Sequence, residues 1–164
     1  ALPAAGTARP GPDPKTNDKQ ERYTMGGDQD REKLIEMLNG ALGWEMRAAT
    51  LYGHYAAYVK GINRLHLKPY FEAEATESMT HANTVRGAIV KLGGVARTDR
   101  DQTEIVHSTD FRVMLDEAMK TETKAAATYK EILGAGGLDA EMYDAIEQIA
   151  FAEERAVEEL SQLL

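Results

Sequence analysis

The chain has 164 residues, 28% of them charged and 43% apolar, with a formal net charge of −8. That length suits one domain with a sizeable core, the acidic balance argues against nucleic acid as a partner, and no run approaches the roughly 18 to 20 apolar residues of a membrane span. Cysteine is absent, which excludes disulfides, thiolate zinc sites and iron–sulfur clusters and leaves oxygen and imidazole to hold any metal.

Four of the five prolines, at positions 3, 10, 12 and 14, and the Gly26-Gly27 pair set residues 1–29 apart as an extended arm, with the helical domain expected over 30–164. ALPAAGTARPGPDPK lacks the apolar centre of a signal peptide. A cytoplasmic location is therefore expected, with export after cleavage of a signal as the alternative.

The first segment, residues 30–60, places Leu38, Leu42, Glu45, Ala49, Tyr52, Ala56 and Val59 at steps of four and three, one helix face turned to a bundle interior. The second, 67–92, has Pro69 in its expected first turn, where a missing N–H costs nothing. Its face runs through Phe71, Ala75, Ser78, Ala82, Val85, Ile89 and Leu92. LGGVARTDRD then leads to a third segment, 109–133, opening at a Ser108-Thr109-Asp110 cap and presenting Leu115, Met119, Glu122, Ala126, Tyr129 and Leu133. After LGAGGLD the fourth, 140–163, is capped by Asp139 and presents Ile146, Ala150, Glu153, Val157, Leu160 and Leu164. No segment alternates with the period of a strand. The expected class is all-α, an antiparallel four-helix bundle.

Glu45, Glu122 and Glu153 occupy positions that this rhythm assigns to the interior. An unpaired buried carboxylate costs several kcal/mol, and three of like sign cannot neutralise one another, so a cation is implied. Tyr52 follows Glu45, and Tyr129 follows Glu122, two turns along the same face, where each hydroxyl can donate a hydrogen bond into the site. In the second segment EAEATESMTHAN brings Glu74, Glu77 and His81 to one side. At about 100° per residue His81 and Glu74 lie about 40 to 60° from the centre of the inner face and Glu77 about 100°. Facing a glutamate on each of three other helices, His81 reads as a ligand. Carboxylates with one or two histidines suit a pair of iron or manganese ions, with zinc as a further candidate. His54, His66 and His107 read as surface residues, as do Glu32, Glu36, Glu131, Glu141, Glu147 and Glu159.

Glutamates on the first and third segments, a Glu-His region on the second and a Glu-rich fourth resemble the ferritin-like superfamily, closest in pattern to bacterioferritin and the Dps-like, bacterioferritin-like mini-ferritins. The 36-residue spacing from Glu45 to His81 and the approach to Gly93-Gly94 carry that resemblance over residues 31–164. It implies Glu45 and Glu122 as terminal ligands, His81 as a ligand, a fourth-segment glutamate as a bridge, and Tyr52 beside the site. Two departures stand out. The family repeats Glu-x-x-His on the second and fourth helices, but Ser78 stands three residues before His81 and Ala156 three after Glu153. The fourth segment also has two registers: its inner face favours Glu153, whereas repetition of the first half maps Glu77 onto Glu154 and His81 onto Glu158. In either register Glu74 or Glu77 would replace what Ser78 lacks. Met79 falls where bacterioferritins present a methionine to haem; packing is the preferred reading, and haem is not expected.

The resemblance implies a di-iron ferroxidase that oxidises iron(II) with oxygen or peroxide and stores the product in a homo-oligomer. The chain ends after the fourth segment, which leans toward a dimer or a small cage. The alternative is a ferritin-like assembly protein with a degenerate, metal-poor site, in which Arg155 or Lys124 pairs with the buried glutamates.

Overall fold

The computed structural model describes residues 27–164. Residues 1–26 of the arm expected over 1–29 lie outside the described residues, while Asp28 and Gln29 already belong to the first helix. Four helices follow: α1 (Asp28–Tyr58), α2 (Arg64–Lys91), α3 (Phe111–Ala135) and α4 (Ala140–Leu163). No strand occurs among the described residues, and no helix there is long and apolar enough to cross a membrane.

Asp28 and Asp30 sit in the first turn of α1, where carboxylates face the positive end of the helix dipole. At its other end Gly61, with φ of +70°, reverses the chain. The Arg64 guanidinium reaches back to donate to the carbonyls of Ala56 at 3.2 Å and Val59 at 2.9 Å. These bonds tie α2 to the end of α1 and start α2 three residues earlier than expected, so Pro69 falls inside the helix. The Leu65 carbonyl, which a residue at 69 would normally cap, is on an exposed residue and can be satisfied by water.

α2 ends in a Schellman motif: Gly94 N–H donates to the Ile89 carbonyl and Gly93 N–H to that of Val90, both at 2.9 Å. Gly93 holds φ of +79°, a conformation that a side chain resists. α3 is capped by Asp110, which accepts from Arg112 N–H at 2.9 Å, and α4 by Asp139, which accepts from Met142 N–H at 2.9 Å.

Residues 92–110 run back along α1. Arg97 N–H donates to Asn39 Oδ1 at 2.8 Å, Asp101 N–H to the Gly43 carbonyl at 2.8 Å, and the Tyr55 hydroxyl to the Val106 carbonyl at 2.9 Å. The buried Arg47 guanidinium clamps this segment through the carbonyls of Thr103 at 3.0 Å and Glu104 at 2.6 Å, and touches α3 at Thr121 Oγ1. The long crossover delivers α3 to the same end of the bundle at which α2 began. α3 therefore runs antiparallel to α1, pairing the two helices through Tyr52 with Glu122 and Glu45 with Tyr129.

The core is built in two apolar layers. Leu38, Leu42, Val85, Ile89, Ile132 and Ile146 fill one; Leu51, Tyr55, Phe71, Met114, Leu115 and Leu160 fill the other. Each such side chain contributes roughly 1.5 to 3 kcal/mol when fully buried. Glu45, between Leu42 and Leu51 on α1, opens a polar layer between them.

Candidate metal centre

Each helix places one or two polar side chains in this middle layer because its 4-3 rhythm keeps the same face inward past both apolar layers. Glu45, Glu122 and Glu153 are all buried, at 2%, 3% and 4% exposure. Tyr52 of α1 donates to Glu122 of α3, and Tyr129 of α3 donates to Glu45 of α1 at 2.5 Å. The two tyrosines thus exchange partners across the bundle, and both are buried. His81 of α2 completes the layer: Nδ1 lies 2.7 Å from Glu153 Oε1 and 3.7 Å from Glu45 Oε1.

Glu45, His81 and Glu153 each offer one ligand atom, and these atoms all lie within 4.8 Å of one another. Two carboxylates and an imidazole are hard to intermediate donors that suit iron, manganese or zinc. The donor set fits a metal ion. Glu77, expected as a ligand, instead approaches the other nitrogen: its Oε1 is 3.7 Å from His81 Nε2, with the Glu77 side chain 51% exposed. There it can orient the imidazole as an outer carboxylate commonly does for a metal-bound histidine.

The electrostatics follow from burial. Desolvation pushes the Glu45 carboxyl up, against hydrogen bonds from His81 and Tyr129. Burial, then the neighbouring Glu153, pushes Glu122 well up. Burial lowers the His81 imidazolium, but hydrogen bonds to Glu153 and Glu45 outweigh it and raise His81 to about 10. Burial and then Glu122 lift Glu74 to about 7. The charge of His81, raised by its two glutamate neighbours, offsets part of the carboxylate charge of the layer, the role a bound cation would take over.

Beside the centre lies a cavity of about 200 Å³ lined by Glu74, Glu77, Ser78, His81, Glu122, Ala152, Glu153, Arg155, Ala156 and Glu159. The two candidate registers of α4 are now distinguished by position. Glu153 is buried in the centre, Glu154 pairs with Lys130 at 2.5 Å, and Glu158 is exposed. Glu154 and Glu158 do not reach the other donors, because the inner stripe of α4 passes through Glu153. Met79 is 41% exposed on α2 rather than packed within the subunit. Arg155 and Lys124 are exposed, and among the described residues the ion partner of the buried glutamates is His81.

Two features are absent from the sequence reading. Tyr70 carries a buried hydroxyl without a hydrogen-bond partner and stands one turn before Glu74. Its spacing to Glu74 was the available signal. His54 and His107 meet on the surface, Nε2 to Nδ1 at 2.9 Å, beside the Tyr58 ring. Their separation in sequence by the crossover hid the pairing.

The sequence matches the ferritin-like domain over residues 35–164. The chain belongs to the ferritin-like family. Among solved structures, a ferritin-like di-iron-carboxylate protein from Bacillus anthracis is 33% identical, with a TM-score of 0.77 over 85% of this chain and 99% of that one. A dodecameric thioferritin, the bacterioferritin-related protein of Bacteroides fragilis, is 25% identical, with a TM-score of 0.75 over 90% of each chain. The Desulfovibrio desulfuricans bacterioferritin, which has a di-iron site, shares the fold at 20% identity and a TM-score of 0.75, covering 82% of this chain and 80% of that one. No curated protein matches the chain. The ferritin-like fold accounts for the long crossover and for the polar layer placed midway along the bundle.

Proposed function

We propose that this ferritin-like bundle binds iron(II) at the layer formed by Glu45, His81, Glu122 and Glu153, gives its electrons to oxygen or peroxide, and sequesters the iron(III) within a homo-oligomer. The observation that carries this reading is the convergence of Glu45, His81 and Glu153 from three helices within 4.8 Å. Carboxylates hold hard iron(III) as well as iron(II), so one donor set serves the ion before and after oxidation. A paired-ion centre would take Glu122 as the terminal ligand of a second ion and Glu153 as the bridge. The cavity beside the donors gives the oxidant a route to the ion. Tyr52 and Tyr129 fix the outer carboxylate oxygens by hydrogen bonds.

Self-association is supported by the dodecameric state of the Bacteroides fragilis relative. On α2, Leu65, Met79 and Val90 are exposed at 69%, 41% and 64%. At about 100° per residue they fall within about 40° of one another, on a face that also carries the exposed Glu72 and Asn83, so a second copy would meet apolar contacts set among polar ones.

The test is oxygen uptake after iron(II) is added to chelator-treated protein. Uptake faster than in buffer, lost in Glu45→Gln and in His81→Ala, supports the reading; the buffer rate in the parent protein refutes it. A second reading, a metal-poor assembly scaffold, is favoured by one observation: the His81–Glu153 ion pair satisfies the buried carboxylate without a metal. In that case the protein would assemble normally and take up no oxygen.

A further inference from the structure

Glu153 stands in the middle of the polar layer, and the two sides of it are unequal. On one side Glu45 and His81 bring an oxygen and a nitrogen into the same small volume as a Glu153 oxygen. On the other side stands Glu122, one of whose oxygens is engaged by the Tyr52 hydroxyl. Nearby, Ser78 and Ala156 line the cavity with a neutral hydroxyl and a methyl group. Among the described residues only one set of three carboxylate or imidazole donors converges within 4.8 Å.

Charge points the same way. Glu45 and Glu153 neutralise one divalent ion. Two divalent ions carry four positive charges, whereas the buried carboxylates of the layer supply three negative ones. Glu77 does not make up the difference, because its oxygen meets the far edge of the His81 ring and its side chain is 51% exposed. Glu74 and Glu159 line the cavity without joining the convergent set.

We propose that each subunit holds a single metal ion, on Glu45, His81 and Glu153, and that the cavity bounded by Ser78 and Ala156 holds water instead of a second metal. Its volume of about 200 Å³ is room for roughly six waters at about 30 Å³ each. The inference deepens the iron-binding reading above and rests on it. The relatives named as di-iron proteins would thus differ from this chain in ion count at the same place in the fold.

The experiment is a metal titration of the chelator-stripped full chain with manganese(II), read by equilibrium dialysis with elemental analysis and by electron paramagnetic resonance. The expected result is one ion per subunit with the six-line signal of an isolated manganese(II). The double substitution Ser78→Glu with Ala156→His raises it to two. Two ions per parent subunit with an exchange-coupled signal would overturn the single-ion proposal and leave the metal-binding reading intact. No bound ion would overturn the reading beneath it. The parent protein alone decides between these results, so misfolding of the double variant would not blunt the test.

Discussion

His81 Nδ1 lies 2.7 Å from Glu153 Oε1, joining α2 to α4 at the middle of the bundle. The inner stripe of α4 turns Glu153 rather than Glu154 into this contact. Glu153→Gln is expected to weaken manganese(II) or iron(II) binding by more than about 100-fold, since even outer-shell substitutions cost about 10- to 100-fold. Glu154→Gln, which removes only the contact to Lys130, should leave affinity unchanged. Calorimetric titration of both variants checks this, and equal losses would contradict it.

Glu77→Gln is an intermediate case. Its carboxylate meets His81 Nε2 at 3.7 Å, so the substitution should reduce metal affinity by about 10-fold without removing an ion. The same titration reads it; a loss as large as that of Glu153→Gln would make Glu77 a direct ligand.

Tyr129 donates to Glu45 at 2.5 Å inside the bundle. Tyr129→Phe deletes the donor and leaves a buried carboxylate oxygen short of a partner, a cost of about 1.5 to 3 kcal/mol. Urea unfolding of chelator-treated protein should show this loss. Tyr52→Phe should behave alike through Glu122, and an unchanged midpoint in both would contradict the exchange of partners.

Folding of the metal-free chain takes up protons at the centre. The Glu74 carboxyl rises from 4.5 to about 7, by burial and then the charge of Glu122. The His81 imidazole rises from 6.5 to about 10 because its glutamate hydrogen bonds outweigh burial. Each folded-state value lies above the unfolded one, so each contribution is complete below the unfolded value and is lost as pH rises through the folded one. Calorimetric Tm in chelator should therefore fall between about pH 5 and about pH 10, first through Glu74 and then through His81. Added manganese(II), which displaces the His81 proton, should raise Tm more at about pH 8 than at about pH 6. A Tm that climbs with pH in chelator would contradict this balance.

The end of α2 gives a test away from the centre. Gly93 holds φ of +79° in the Schellman motif, and Gly93→Ala should cost about 1 to 2 kcal/mol. Urea unfolding measures it directly.

Much of this architecture is legible in the sequence because the helices are long and their rhythm is regular. Glu45, Glu122 and Glu153 interrupt an apolar repeat, and that interruption locates the polar layer. The narrow repeat misses part of the core: Leu51, Tyr55, Ile132 and Ile149 are buried because each helix meets two neighbours and buries a wider stripe. Leu164 and half of Ala75 and Val157 lie outside it. Pro69 misplaced the start of α2, since the Arg64 bonds that extend the helix depend on tertiary contact with α1. The crossover was least legible. Arg47 is buried to bind backbone carbonyls, which carry no residue signature.

The most direct measurement is anomalous diffraction at the iron absorption edge from crystals loaded anaerobically with iron(II). The account predicts one peak per subunit, bounded by Glu45 Oε1, His81 Nδ1 and Glu153 Oε1. A layer without any peak, or iron bound only elsewhere on the protein, would contradict it.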